Sequence, residues 1–171
     1  MVRPYEFPFY TQCDPKWGKM IMQKDDICKV GCFLSSISMA LAGRGLKIPT
    51  DLVPTPATLN YWLQKQKNPA GYLDTDILNT PVLTAISPKI KLGANYMHRT
   101  NDLKAGDVVK MMAAGKVVIA NVHDGRHFVL LVGYPKSGPY SNSTVFAAQD
   151  PALFATSYTH QSISGYRIFT M

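Results

Sequence analysis

No apolar run in this chain is long enough to cross a bilayer. The longest, such as Val117–Val122 and Phe128–Tyr134, fall far short of the roughly 20 residues that a spanning helix needs. The N-terminal stretch MVRPYEFPFYTQ lacks a hydrophobic segment of signal-peptide form, and Met1 fits a native start or one left by a removed signal. Charge is sparse, at 17% of residues against 46% apolar, which excludes disorder and points to a soluble globular protein. Basic residues form no run longer than two and do not interleave with aromatics. The net charge of +7 therefore builds no nucleic-acid platform. It favours acidic partners in general, among them anionic wall polymers and acidic lipids. The loose pairs Lys65/Lys67 and Lys89/Lys91 read as solvated surface. Internal repeats and low-complexity segments are absent as well. What remains is 171 residues, the length of one domain, 1–171, able to bury a real core.

Turn and cap signals divide the chain. Residues 1–31 are punctuated by Pro, Asp and Gly and read as an irregular arm and loop. From Cys32 the apolar positions Phe33, Leu34, Ile37, Ala40 and Leu41 recur at helical spacing, and Gly43 supplies a stop. Thr55-Pro56 offers an N-cap and N1 proline for a second helix carrying Leu59, Trp62 and Leu63. Thr80-Pro81 repeats the signal for a short third helix, and Asn101 or Asp102 starts a fourth that reaches Gly115. The first two-thirds is thus expected to be helical. The character then changes. VVIANVH (117–123) and HFVLLVGY (127–134) are strand-like runs joined by Asp124-Gly125-Arg126, a hairpin signal. TVFAAQ and GYRIFT add two further strands. Helices first and antiparallel strands afterwards is an α+β pattern, with a cleft expected where the parts meet.

Chemistry concentrates at two places along this layout. Gly31-Cys32 heads the first apolar helix, where free backbone N–H groups and the macrodipole favour a thiolate. His127 opens a strand in the second part. A histidine can take the thiol proton and hold the ion pair, and the two need be neighbours only in space. That placement suits a cysteine hydrolase with a site between the halves.

Gln12 in YTQCDPKWG, Cys32 in KVGCFLSSISMAL, His127 in GRHFVLLVGY and Asp150 in AAQDPA together resemble the C39-like peptidases, which have the papain-like cysteine protease fold. The match in order and spacing runs from residue 9 to the C-terminal strand. The resemblance implies an α+β, papain-like fold whose nucleophile helix packs on a C-terminal antiparallel sheet. It implies Cys32 as nucleophile, His127 as general base and acid, Asp150 as the residue orienting the imidazole, and Gln12 as oxyanion-hole donor. The chain departs from the family after the cysteine, where Phe33-Leu34-Ser35 replaces the frequent Gly followed by Pro-Thr or Pro-Ala. Each role also has its own rationale: the oxyanion needs donors placed in advance, and the histidine needs a carboxylate to fix its tautomer.

Competing readings stand beside these. His123, four residues before His127, is the other candidate base; with Asp124 it reads as a turn or rim residue. His98 and His160 lack strand context. Trp17 reads as a packing anchor rather than a groove residue. Cys13, Cys28 and Cys32 with a distant His permit a zinc set, but Cys13 has no close partner and we expect no metal or cofactor. Cys13 paired with Cys28 would leave Cys32 free and imply an oxidising compartment, extracellular or secretory/lysosomal; three free thiols and a cytoplasmic setting remain open. The expected activity is peptide or amide hydrolysis by a Cys-His-Asp triad through an acyl-enzyme. A degenerate peptide-binding module and an acyl-transfer or deamidating enzyme are the alternatives. The partner is a peptide or protein, acidic and wall-associated ones included, with no nucleic acid, no membrane and a monomeric state. The family version fused to an exporter does not fit this chain.

Overall fold

The computed structural model describes residues 1–49, 51–93 and 96–171. Its helices are α1 (Ile27–Val30), α2 (Cys32–Gly43), α3 (Pro56–Lys65) and α4 (Ala105–Ala113). Its strands are β1 (Met97–Arg99), β2 (Val117–Val122), β3 (His127–Gly133), β4 (Val145–Gln149), β5 (Ser157–Thr159) and β6 (Ile163–Phe169). They form one antiparallel sheet in the order β1-β6-β2-β3-β4-β5. This is the α+β arrangement expected, with the helix that begins at Cys32 packed on β3.

Period-two alternation splits the sheet's side chains between two cores. On one face Val117, Ile119, Leu130, Val132 and Phe169 meet α2 and α3 through Leu34, Ile37, Leu41, Leu59 and Leu63. On the other, Val118, Ala120, Val129, Leu131 and Phe146 meet Val108 and Met112 of α4. Burial on both faces explains why β2 and β3 read as continuous apolar runs. Helix α2 is buried on nearly every side, Ser35, Ser36 and Ser38 included. Its small residues let the sheet approach, and the Ser36 hydroxyl donates to the Phe128 carbonyl at 3.4 Å.

The cap signals behave as expected at α3. Thr55 and Thr58 form a reciprocal capping box, 3.1 Å and 2.8 Å, with Pro56 at the first helical position. The Thr80-Pro81 signal produces a 3₁₀ segment, Thr80–Ala85. Helix α4 starts later than Asn101 or Asp102. The Asp102 carboxylate turns back to accept from the Arg99 N–H at 2.8 Å, closing a 3₁₀ turn, and Leu103 is extended (φ −129°, ψ 137°). Asp107 then accepts from Lys104 N–H at 3.0 Å and begins the helix proper. The first two-thirds is also less helical than expected, since β1 lies within it and pairs with β6. That pairing gives His98 a strand context, opposite Tyr166. Conversely, one helical turn, α1, interrupts the arm expected to be irregular; Asp26 caps it by accepting from Lys29 N–H.

The rest of the arm is pinned to the globule. Val2 and Tyr134 exchange backbone bonds at 2.7 and 3.0 Å. Trp17 is buried, donates Nε1–H to the Thr11 carbonyl at 2.8 Å and packs edge-on against Tyr10, as a packing anchor should. No helix of the described residues is long and apolar enough to cross a membrane.

Candidate active site

Cys32 is placed by a glycine. Only Gly31 separates α1 from α2; its N–H donates to the Ile27 carbonyl at 2.7 Å and its own carbonyl accepts from Ser35 N–H at 2.9 Å. A Cβ at residue 31 would lie 2.5 Å from both Ile27 Cγ2 and Ile27 O, so the two helices meet this closely only because residue 31 has no side chain. Cys32 thereby becomes the first residue of α2 and faces a cleft of about 1460 Å³ that Gln12 and His127 also line. Cys13 and Cys28 are joined as a disulfide with Cα atoms 4.2 Å apart, and Cys32 is the free cysteine. The bridge takes two of the three sulfurs that a zinc set needs.

His127, 6% exposed, begins β3 and sets its Nε2 2.6 Å from Asp150 Oδ1. That contact leaves Nδ1 on the side of the ring away from Asp150, and Cys32 lines the same cleft, close enough to favour the charged ring. Burial pulls the imidazole pKa down, but the hydrogen bonds and charges of Asp150 and Cys32 outweigh it and push it up to about 9. Asp150 is 2% exposed. Burial alone would raise its pKa, yet bonds from His127, from the Tyr158 hydroxyl at 2.6 Å and from Ala152 N–H at 2.9 Å hold it below the usual carboxylate value. A protonated imidazole beside an ionised carboxylate is the resulting state near neutral pH.

Gln12 reaches the same cleft from the arm. Its backbone N–H donates to the Pro151 carbonyl at 2.9 Å, and its side-chain Nε2 donates to the Cys28 carbonyl at 2.5 Å. An amide has two N–H bonds, and this contact uses one of them. Cys28 thus holds Gln12 through its carbonyl and Cys13, next in sequence to Gln12, through its sulfur. Gln12, Cys32, His127 and Asp150 are all brought together.

The other histidines are elsewhere. His123 is exposed, has φ 52° in the β2–β3 turn beside Asp124 (φ 55°), and its Nε2 is 3.5 Å from the Tyr158 hydroxyl. It stands on the cleft rim, 5.8 Å ring to ring from His127. His160 is buried, bonded through Nδ1 to the Tyr166 hydroxyl at 2.6 Å, and burial lowers its pKa. The sequence reading missed Tyr158. It lies in a three-residue strand with no alternation to mark it, and its role is visible only from Asp150. Also missed were Leu153 and Phe154, which follow Asp150 and line the cleft. The Phe154 ring packs edge-on 5.3 Å from that of His127. The available signal was two large apolar residues shortly after the Asp-Pro pair, in the run Asp150-Pro151-Ala152-Leu153-Phe154.

A scan against protein-family models matches residues 5–167 to the Peptidase_C39 like family. Searches of curated proteins and of solved structures return no match.

Proposed function

This chain belongs to the Peptidase_C39 like family, and on that premise we propose that it is a cysteine peptidase cutting amide bonds through an acyl-enzyme intermediate. The observation that carries the reading is the shared cleft, in which Cys32 starts α2 and His127, bonded to the Asp150 carboxylate at 2.6 Å, lines the same space. The Cys32 sulfur attacks the substrate carbonyl carbon and the π pair moves onto oxygen. That oxyanion is met by the second N–H of Gln12 and the backbone N–H at the start of α2. The imidazolium of His127 then gives its Nδ1 proton to the departing nitrogen as the C–N bond breaks, leaving a thioester. Neutral His127 next takes a proton from water, whose oxygen attacks the thioester carbon and releases the acid and Cys32. Asp150 keeps the ring oriented and its charge balanced throughout, while Tyr158 and Ala152 hold Asp150.

The apolar walls formed by Phe33, Leu73, Ile77 and Phe128 suit the side chains of an extended peptide. The Cys13–Cys28 bridge supports an oxidising location, outside the cytosol. Incubation with a peptide library, read by mass spectrometry, tests the activity. Wild-type protein should cleave a subset of peptides, and Cys32→Ala should cleave none while keeping its thermal transition. Conversion of Gln to Glu without cleavage would move the chain to acyl-transfer chemistry. Unchanged peptides throughout would overturn the reading.

A further inference from the structure

Among the described residues, one cation lining the cleft has no ion-pair partner. Arg167 lies on β6 opposite Ile119 of β2 and Met97 of β1, so it points to the sheet face that meets α2. It lines the cleft and is half-buried there. Among the described residues its guanidinium makes a single long hydrogen bond, 3.4 Å from Nη1 to the Tyr166 carbonyl, and no ion pair. The other cations lining the cleft are provided for: Lys29 has Asp25 at 2.6 Å and Arg126 has Asp124 at 3.8 Å. Asp76, the carboxylate on the cleft wall, already accepts from the backbone N–H groups of Gln23, Lys24 and Asp25. Burial disfavours the Arg167 charge, with a smaller opposing effect of Tyr96. A planar fork of donors left unpaired in apolar surroundings is a standing demand for an anion.

Its position says which anion. The Arg167 guanidinium carbon is 5.6 Å from the Phe128 ring centre, and that ring is 4.7 Å from Phe33, the neighbour of Cys32. Arg167 and Cys32 therefore line one continuous cleft, joined by the Phe128 and Phe33 rings. We propose that Arg167 is an anion-binding subsite of the cleft, taking a substrate carboxylate to one side of the scissile amide. This rests on the peptidase reading above. The carboxylate pairs with two parallel N–H groups, a geometry that a lysine cannot reproduce. It belongs either to an Asp or Glu side chain or to the free end of the substrate chain.

Matched fluorescent peptides built on a cleaved library sequence decide the matter. One set carries Glu or Gln at each of three positions on either side of the cut, and a second ends in a free acid or an amide. Wild-type protein should favour the charged member at one position, or at the free end, by about 10- to 100-fold in kcat/KM, as charge-assisted hydrogen bonds predict. Arg167→Gln should bring that ratio close to one, and Arg167→Lys should leave it intermediate. A ratio within one variant does not depend on how much of it is folded. The set that discriminates identifies the source of the carboxylate. Ratios near one in wild type for every pair, or ratios unchanged in Arg167→Gln, overturn the subsite and leave the peptidase standing. If no library peptide is cleaved, the peptidase reading falls, and anisotropy of fluorescent Glu/Gln and acid/amide pairs built on an arbitrary apolar peptide, read on Cys32→Ala with and without Arg167→Gln, still decides the subsite. Equal binding of charged and neutral members there overturns it.

Discussion

His127 sits under opposing influences, and their balance sets a pH dependence. Burial disfavours its charge while Asp150 and Cys32 favour it, leaving its pKa at about 9, above the ordinary histidine value of roughly 6.5. A group raised in the folded state stabilises fully below the unfolded value and loses that contribution as pH climbs through the folded one. His127 therefore stabilises the fold at neutral pH and ceases to do so as pH passes about 9. Asp150, lowered on folding, behaves oppositely: its contribution is present above the usual carboxylate pKa and is lost on acidification. Turnover follows the imidazolium, because only that form can protonate the leaving amine. The alkaline limb of kcat/KM should lie near pH 9. Asp150→Asn should move it downward and lower kcat by about 10- to 1000-fold, less than loss of a reacting group. Tyr158→Phe, which removes one of the bonds on Asp150, should lower kcat by a smaller factor. A limb that stays in place in Asp150→Asn would show that His127 does not control it.

At the scale of elements, the junction of α1 and α2 positions the thiol. A Cβ at residue 31 would sit 2.5 Å from a backbone oxygen, so the helices must shift to accept it. Gly31→Ala should destabilise by about 1–3 kcal/mol in urea unfolding, the usual cost of overpacking. Its kcat/KM should fall by more than the lost folded fraction explains, since Cys32 moves with the helix start. Gly106→Ala is the control, because a Cβ there would meet the described residues only in ordinary contact, 3.4 Å from Tyr140. Equal behaviour of the two variants would mean that the junction does not set the position of Cys32. The same junction relates elements to sequence. Helical period and Gly31-Cys32 made α2 legible, but α1, one turn long, was invisible because a single turn carries no periodicity.

Across the whole molecule, the Cys13–Cys28 bridge closes a 15-residue separation and binds the arm to α1, the turn that Gly31 joins to the Cys32 helix. Loss of a loop of this size costs roughly 3 kcal/mol by chain entropy. The Cys13→Ser/Cys28→Ser variant should therefore unfold at lower denaturant. It should also lose kcat more than it gains KM, because Cys28 no longer holds the carbonyl that orients Gln12. Non-reducing peptide mapping of protein made under oxidising conditions should give one Cys13–Cys28 link and a free thiol at Cys32. Three free thiols in that sample would remove the bridge and with it the argument for an oxidising location.

The local elements were determined by sequence alone. The apolar spacing after Cys32, the Thr55-Pro56 cap, and the β-branched runs around residues 117–133 each draw on neighbours a few positions apart, and the described α2, α3, β2 and β3 follow them within a residue or two. The Gln12, Cys32, His127 and Asp150 motifs could be picked out for the same reason: each has a turn, helix start or strand end beside it. Tertiary structure decided what those residues touch. That Asp150 meets His127, while His123 turns to the rim, depends on β3 pairing with β4, and Tyr158 joins them only because β5 pairs with β4. Strands β1 and β5 are three residues long and exist by virtue of the partners that hydrogen-bond to them. The unpaired charge of Arg167 likewise belongs to no local pattern. A guanidinium lacks a partner only with respect to everything folded around it.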